Sequence, residues 1–205
     1  WFNLERGVRQ GGVLSAKLYL VYVNELLDKL TSSQKGAMVL DVQVSAPTQA
    51  DDITLLSPLT NDLQTMIDMC VEYSGKWCFT FSPTKSSVMS FGKQDTSPST
   101  LFLYGLQIPY VHETKHLGIH LSNSNSWDRT IRACSKLKST SIALIKNGYH
   151  ARALNPLTSL KLFQSVCLPR SLYGCELWSG LSKGEMLCIE RAQRFALKLA
   201  QGLPK

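Results

Sequence analysis

The stretch LSAKLYLVYVNELLDKL, from Leu14 to Leu30, is the richest apolar run in the chain, and the four charges inside it decide what it can become. Lys17, Glu25, Asp28 and Lys29 would all have to enter hydrocarbon if the run crossed a membrane, which excludes a span. It must instead be a helix of a soluble core. Leu14, Leu18, Val21, Tyr22 and Leu26 recur at three- and four-residue spacing, which predicts that this face is buried. Ser15 is the expected N-cap, and LERGVRQGGVLS, with glycines 7, 11 and 12, reads as a tight loop feeding the helix. At 205 residues, 44% apolar and 18% charged, the chain is long enough for one substantial core or two small ones.

Cysteine and charge narrow the class further. Cys70, Cys78, Cys134, Cys167, Cys175 and Cys188 are scattered and include no C-x-x-C pair, so they read as reduced core thiols rather than zinc ligands or a disulfide framework. No basic-then-apolar leader and no Asn-x-Ser/Thr acceptor points to secretion, so a cytoplasmic or nuclear location is expected. The chain opens on Trp1 and stops at Lys205 after a helix-like segment, as expected of an excerpt from a longer polypeptide. Net charge is +7, unevenly spread: residues 127–205 hold 13 Lys and Arg against 4 Asp and Glu, and residues 1–126 hold 9 against 11. A basic lobe joined to one with clustered carboxylates suits a protein that holds a polyanion and acts on it with metal ions. A solvated basic helix surface has the same composition.

Along the chain, AMVLDVQV is short and β-rich, SAPTQADD is turn-like and ITLLS is apolar, which predicts a hairpin with Asp51 and Asp52 near its turn. A second helix is expected over about 61–74, burying Leu63, Met66, Ile67, Cys70 and Val71 and ending at Gly75. WCFTF and SVMSF read as strands flanking SPTK, and LFLYGLQIPYV and KHLGIHL supply two or three more. Helices beside a largely antiparallel sheet make an α+β domain. The polar stretch SNSNS, residues 122–126, is the expected boundary, giving domains 1–126 and 127–205. Beyond it lie helices over about 127–147, about 156–168 with Pro156 at N1 and Pro169 as breaker, and about 184–201.

Two adjacent carboxylates repel unless a cation lies beside them, and magnesium is commonly held by one or two carboxylates plus substrate phosphates. Neighbouring side chains of a strand point to opposite faces, so Asp51 and Asp52 can converge only where the backbone turns. Ordinary turn aspartates bonding to local amides are the alternative. His116 and His120 read as structural, although at four-residue spacing they would share a face. Tyr173, Trp178 and Phe195 read as core aromatics.

The order of several blocks adds a resemblance. GVRQGGVLSAKLY is similar to G-x-x-Q-G-x-x-L-S-P-x-L-F, and QADDITLLS to a Tyr/Phe-Ala-Asp-Asp block. GKWCFTFSPTKSSVMSFG is similar to a stretch ending in Asn-x-x-Lys-Ser/Thr, KHLGIHL to a Y-L-G motif, and LPRSLYGCELW to P-x-x-x-Y-G-x-E-x-W. Five blocks in this order, across nearly the whole chain, resemble the reverse transcriptases of non-LTR (LINE-like) retrotransposons in their palm and thumb regions.

The resemblance implies a partial polymerase palm over residues 1–126, an antiparallel sheet with helices, followed by a basic helical thumb over 127–205. It implies magnesium, or manganese in its place, at Asp51 and Asp52. Lys85 is implied beside the nucleotide's phosphates. Gln10 and Gly11 are implied to border the incoming nucleotide and templating base, and Arg9 either touches phosphate or is an ordinary surface arginine. Leu117 and Gly118 match the hairpin that grips the primer end. Arg129, Arg132, Lys136 and Lys138 would meet nucleic-acid backbone. The implied partners are an RNA template, a DNA primer and deoxynucleoside triphosphates. Gln49 stands where the family usually has Tyr or Phe, and Ala16 where it usually has Pro. The family's other catalytic aspartate precedes the first block, outside this chain, and Asp41 is the nearest substitute in sequence. Two expectations therefore compete: part of an RNA-directed DNA polymerase, or an inactive relic or domesticated fragment that only binds nucleic acid.

Overall fold

The computed structural model describes residues 12–92, 100–123, 126–148, 153–178 and 180–203. These fall into two compact units, Trp1–Val111 and His112–Lys205. The division comes ahead of the polar stretch 122–126, because the hairpin between them belongs with the helices after it.

The first unit opens with helix α1 (Ser15–Ser32). Hairpins β1 (Met38–Val39)/β2 (Val42–Gln43) and β3 (Thr48–Gln49)/β4 (Asp52–Ile53) follow, then helix α2 (Thr60–Lys76) and hairpin β5 (Phe102–Leu103)/β6 (Leu106–Gln107). Its main core packs Val23, Leu26 and Leu30 of α1 against Met66, Cys70 and Tyr73 of α2. Ile67, next to Met66 in α2, packs against Leu101, Leu103 and Ile108, so α2 is covered on two faces. Each fully buried leucine contributes about 1.5–3 kcal/mol by leaving water.

Helix α1 buries only part of the stripe its periodicity suggests. Leu26 is sealed and Tyr22 packs against the core, but Leu14 is exposed and Leu18 and Val21 are 56% and 75% exposed, while Val23 and Leu30 are sealed as well. The Tyr73 hydroxyl donates to the Tyr22 carbonyl at 2.5 Å and the Tyr22 hydroxyl to the Trp77 carbonyl at 2.6 Å, which holds the Tyr22 side toward α2. Ser15 is the first helical residue rather than the cap, which is Leu14. Gly75 is helical, and α2 runs past it to Lys76; the left-handed residue that ends the helix is Cys78, at φ +55°, after which the Phe79 amide donates back to the Ser74 carbonyl at 3.1 Å.

WCFTF and SVMSF are not strands. Phe79 and Phe81 turn inward against the core aromatics, and the Phe81 amide donates to the Tyr104 hydroxyl at 3.1 Å instead of to a ladder. SVMSF contributes a single bridge, Val88 to Tyr110. Among the described residues the strands form four separate two-stranded antiparallel ladders rather than one sheet. The class is nevertheless mixed helix and antiparallel strand, α+β.

The second unit starts with hairpin β7 (Glu113–His116)/β8 (Ile119–Ser122) and continues with helix α3 (Ser126–Lys146). Helix α4 (Pro156–Leu162) is capped by Asn155, whose side chain accepts from the Leu157 amide, with Pro156 at the first helical position. A π turn, Phe163–Cys167, carries the helix into α5 (Leu168–Ser171). Pro169 therefore does not break the segment: it lacks an amide hydrogen and would crowd the carbonyl four residues back, and the wider π turn just before it relieves that crowding. After a short 3-10 turn, Cys175–Leu177, helix α6 (Lys183–Ala200) closes the unit. Cys134 and Leu137 of α3, Phe163 and Cys167 of the π turn, and Ala192 and Ala196 of α6 form its core, the small alanines letting the helices approach closely. Among the described residues no helix is long and apolar enough to cross a membrane.

Candidate functional site

Asp51 and Asp52 occupy the tip of the β3–β4 hairpin. Thr48 pairs with Ile53 and Gln49 with Asp52, leaving Ala50 and Asp51 as the two turn residues, with Ala50 at φ +53°. Backbone bonds from Thr54 to the Pro47 carbonyl (3.0 Å) and from Leu56 to the Ser45 carbonyl (2.8 Å) prolong the pairing and hold the tip out. Strand alternation turns Ile53 and Leu55 into the α1–α2 core and leaves Asp52 outside. Both aspartates are exposed. Two exposed carboxylates offer oxygen donors that fit a hard divalent cation also held by water and phosphate. Among the described residues no group of three or more His, Cys, Asp or Glu is placed to hold a metal, so Asp41, in the Leu40–Asp41 turn between β1 and β2, does not complete such a set.

Sequence reading left Tyr19 without a role, although it stands in the block similar to L-S-P-x-L-F. Burial raises its hydroxyl pKa above the ordinary value, and the Asp51 charge raises it further, followed by Tyr22. Helix α1 thus brings an aromatic hydroxyl within electrostatic reach of the hairpin tip.

Lys85 ends the turn that SPTK forms, its amide donating to the Ser82 carbonyl at 3.2 Å while its side chain is exposed. Among the described residues it has no ion-pair partner. Arg9, Gln10 and Gly11 lie outside the described residues.

Leu117 and Gly118 form the two-residue turn of β7–β8, with φ of +50° and +82°. Positive φ at both positions matches the twist of a tight hairpin. The turn places His116 opposite Ile119 and His120 opposite Lys115, so the two histidines lie on opposite faces of the ladder instead of sharing one. His120 Nδ1 lies 3.2 Å from a Glu113 carboxylate oxygen.

The basic residues of α3 differ in what they touch. Arg129 is 20% exposed. It donates to the Gly180 carbonyl at 3.2 Å, lies over the Trp178 ring, and stands 4.0 Å from Glu185. Glu185, 2% exposed, accepts from the Ser182 amide (2.9 Å), the Ser182 hydroxyl (2.8 Å) and the Thr130 hydroxyl (3.1 Å). The Ser182 amide first, then the Ser182 and Thr130 hydroxyls and Arg129, hold its pKa below the ordinary carboxylate value against the opposing effect of burial. Arg132 is bonded to Glu113. Lys138 stands 5.8 Å from the Phe195 ring centre with its side chain exposed, and Lys136 is half-buried. Two of the four cations are thus committed to folding contacts. The aromatics expected in the core lie nearer the surface: Trp178 and Phe195 are half-buried beneath cations, and Tyr173 is exposed.

A family model described as "Reverse transcriptase (RNA-dependent DNA polymerase)" matches residues 1–121. The chain is 24% identical over 212 residues to the "RNA-directed DNA polymerase from mobile element jockey" of Drosophila funebris, and 23% over 207 residues to the jockey protein of Drosophila melanogaster. It is 21% identical over 210 residues to the "Probable RNA-directed DNA polymerase from transposon X-element" of Drosophila melanogaster. These alignments cover 97–98% of this chain, which spans 22% of the length of each of those proteins. No solved structure matches the chain.

Proposed function

The chain belongs to the reverse transcriptase (RNA-dependent DNA polymerase) family, and from that membership we propose that it is the palm and thumb portion of a non-LTR retrotransposon polymerase. The supporting observation is the exposed Asp51–Asp52 pair at a hairpin tip inside the matched region. In the reaction, a primer 3′-hydroxyl oxygen bonds to the α-phosphorus of a deoxynucleoside triphosphate. The bond from that phosphorus to the bridging oxygen breaks, pyrophosphate leaves and the hydroxyl proton is lost. Asp51 and Asp52 are the residues that would hold magnesium or manganese, which supplies positive charge for the attacking and leaving oxygens when bound. Lys85, exposed and cationic, neutralises charge on the leaving pyrophosphate or protonates it. Gln10 and Gly11 border the nucleotide and template base, and Arg9 contacts phosphate. Leu117 and Gly118 hold the primer end, while α3 supplies cations to the duplex backbone, Lys136 and Lys138 foremost and Arg129 and Arg132 only as far as their contacts with Gly180, Glu185 and Glu113 allow.

Magnesium-dependent extension of a DNA primer on an RNA template, by the polypeptide that carries this sequence, tests the reading. Loss of extension in Asp51→Asn and in Asp52→Asn is expected, and extension that survives both changes would reject the metal assignment. A donor set of only two carboxylates among the described residues favours one second reading, a fragment that binds nucleic acid without polymerising. Salt-sensitive duplex binding with no extension from an intact reading frame would select it.

A further inference from the structure

Leu117 is a branched residue held in the left-handed region at φ +50°. That conformation is costly for a residue with a Cβ and persists only where surrounding structure imposes it. The two-residue hairpin imposes it here, as it does at Leu40, Ala50 and Tyr104 in the other three hairpins. Particular to this tip is its contact with Tyr173-Gly174, inside the LYGCELW segment. The Tyr173 hydroxyl donates to the Leu117 carbonyl at 3.0 Å, across 56 residues of chain. A Cβ on Gly118 would stand 3.4 Å from the Tyr173 ring, so the ring covers the second turn residue as its hydroxyl holds the first. A Cβ on Gly174 would lie 3.0 and 3.1 Å from the Ile119 side chain, so the absence of one lets this segment seat against β8. Gly174 also has φ +81°, a conformation that side-chain-bearing residues rarely adopt.

Three contacts thus connect one dipeptide to one hairpin tip. Tyr173 is 56% exposed, so burial of its ring is not what places it there. We infer that Tyr173 and Gly174 are positioning residues that latch the Leu117–Gly118 turn in the orientation needed to seat a primer 3′ end. The inference rests on the reading of that turn as the primer-holding element. It gives the tyrosine-glycine pair a role that the turn's own geometry does not fill: the hairpin sets the conformation of the turn, and the pair fixes where the turn sits.

The test compares Tyr173→Phe, which removes only the hydroxyl, with Gly174→Ala and the relieving double variant Gly174→Ala with Ile119→Ala. Hydrogen exchange at amides 117–120 reports the latch. Affinity for an RNA template–DNA primer duplex with a recessed 3′ end, against a blunt duplex of equal length, reports the positioning. Tyr173→Phe is expected to speed exchange at the tip and to weaken recessed-end binding about fivefold, the worth of one hydrogen bond, with the blunt duplex unaffected. The double variant should regain part of what Gly174→Ala loses. Unchanged exchange in Tyr173→Phe overturns the latch, whatever the duplexes do. Equal weakening on both duplexes marks a merely structural contact and overturns the positioning role. Faster exchange with both duplexes bound as before leaves the latch standing but rejects the primer-holding reading, and the positioning role with it.

Discussion

Gln49 and Asp52 stand directly opposite one another across the Ala50–Asp51 turn. Opposed residues of an antiparallel ladder project to the same face, so an amide and a carboxylate share one side of the hairpin while Asp51 occupies its tip. Manganese added to the chain should broaden amide resonances over residues 49–53 before others, with a midpoint of about millimolar, as for sites of low ligand charge. The Asp51→Asn, Asp52→Asn double variant should lose this selective broadening. If the hairpin broadens as strongly without its carboxylates, the pair is not the metal site.

Arg129 and Lys138 lie on the same helix but should respond differently to neutralisation. Neutralising Arg129, Arg132, Lys136 and Lys138 together should weaken duplex binding and flatten its salt dependence. Within that set, Lys136→Gln with Lys138→Gln should reduce the slope of log affinity against log salt by up to about 2, one unit for each phosphate no longer neutralised. Arg129→Gln should instead lower the melting midpoint and leave that slope nearly unchanged, since its guanidinium already serves Gly180, Trp178 and Glu185. Salt titrations of the three variants decide the matter, and a slope unmoved by the lysine pair rejects the basic face.

The Glu185 carboxylate carries an acid-dependent part of the stability of its unit. Its folded pKa lies below its ordinary value of 4.5, so near and below that pH the unfolded chain takes up the proton more readily. The contribution is complete above the ordinary value and is lost as pH falls through the folded one. Glu185→Gln should therefore melt earlier than the parent at neutral pH, and the gap should narrow as pH falls below the ordinary value of 4.5. Ser182→Ala, which removes the reciprocal cap of α6, should cost about 1 kcal/mol at neutral pH. A gap that stays constant through the acid range would show that Glu185 is not the responsible group.

Thiol reactivity should follow burial. Burial first, then hydrogen bonding with Cys188 at 3.6 Å, pushes the Cys134 thiol up to about 11, and burial pushes Cys70 up to about 12. At about pH 8 a thiol with pKa 11 is roughly one part in a thousand thiolate, compared with about a quarter for an ordinary one. Iodoacetamide followed by mass spectrometry should find exposed Cys78 labelled well before Cys134 and Cys70. Comparable labelling of Cys134 and Cys78 in the folded protein would contradict this packing.

The legible parts of the fold are those governed by local chemistry. The placement of Pro156 at a first helical position and the end of α6 before Gly202 follow from backbone preferences of a few residues; a hairpin turn beside Asp51 and Asp52 is legible too, although AMVLDVQV closes its own hairpin, β1–β2, and the turn residues are Ala50 and Asp51. The full buried stripe of α1 does not: Leu26 and Tyr22 are where the spacing puts them, but Leu18 and Val21 are as apolar as Val23 and Leu30, and only packing against α2 reveals which are covered. Arg129 and Arg132 are as basic as Lys136 and Lys138, and only tertiary structure reveals that Glu185 and Glu113 engage them. The Ser182-x-x-Glu185 spacing is the available signal for that arrangement, since a capping box is recognisable from residue types and spacing alone.

The π turn takes up slack in the chain. At its end the Leu168 amide donates to the Phe163 carbonyl, five residues back, so the turn holds one residue more than an α turn would. Deleting one residue between Phe163 and Cys167 would let the helix close in ordinary register with the segment beyond it left nearly in phase, whereas the same deletion within α4 would rotate that segment by about 100°. The cost of losing the extra residue falls on Pro169, which would again crowd the carbonyl four residues back. The π turn is therefore a buffer for Pro169 that leaves Tyr173 facing Leu117.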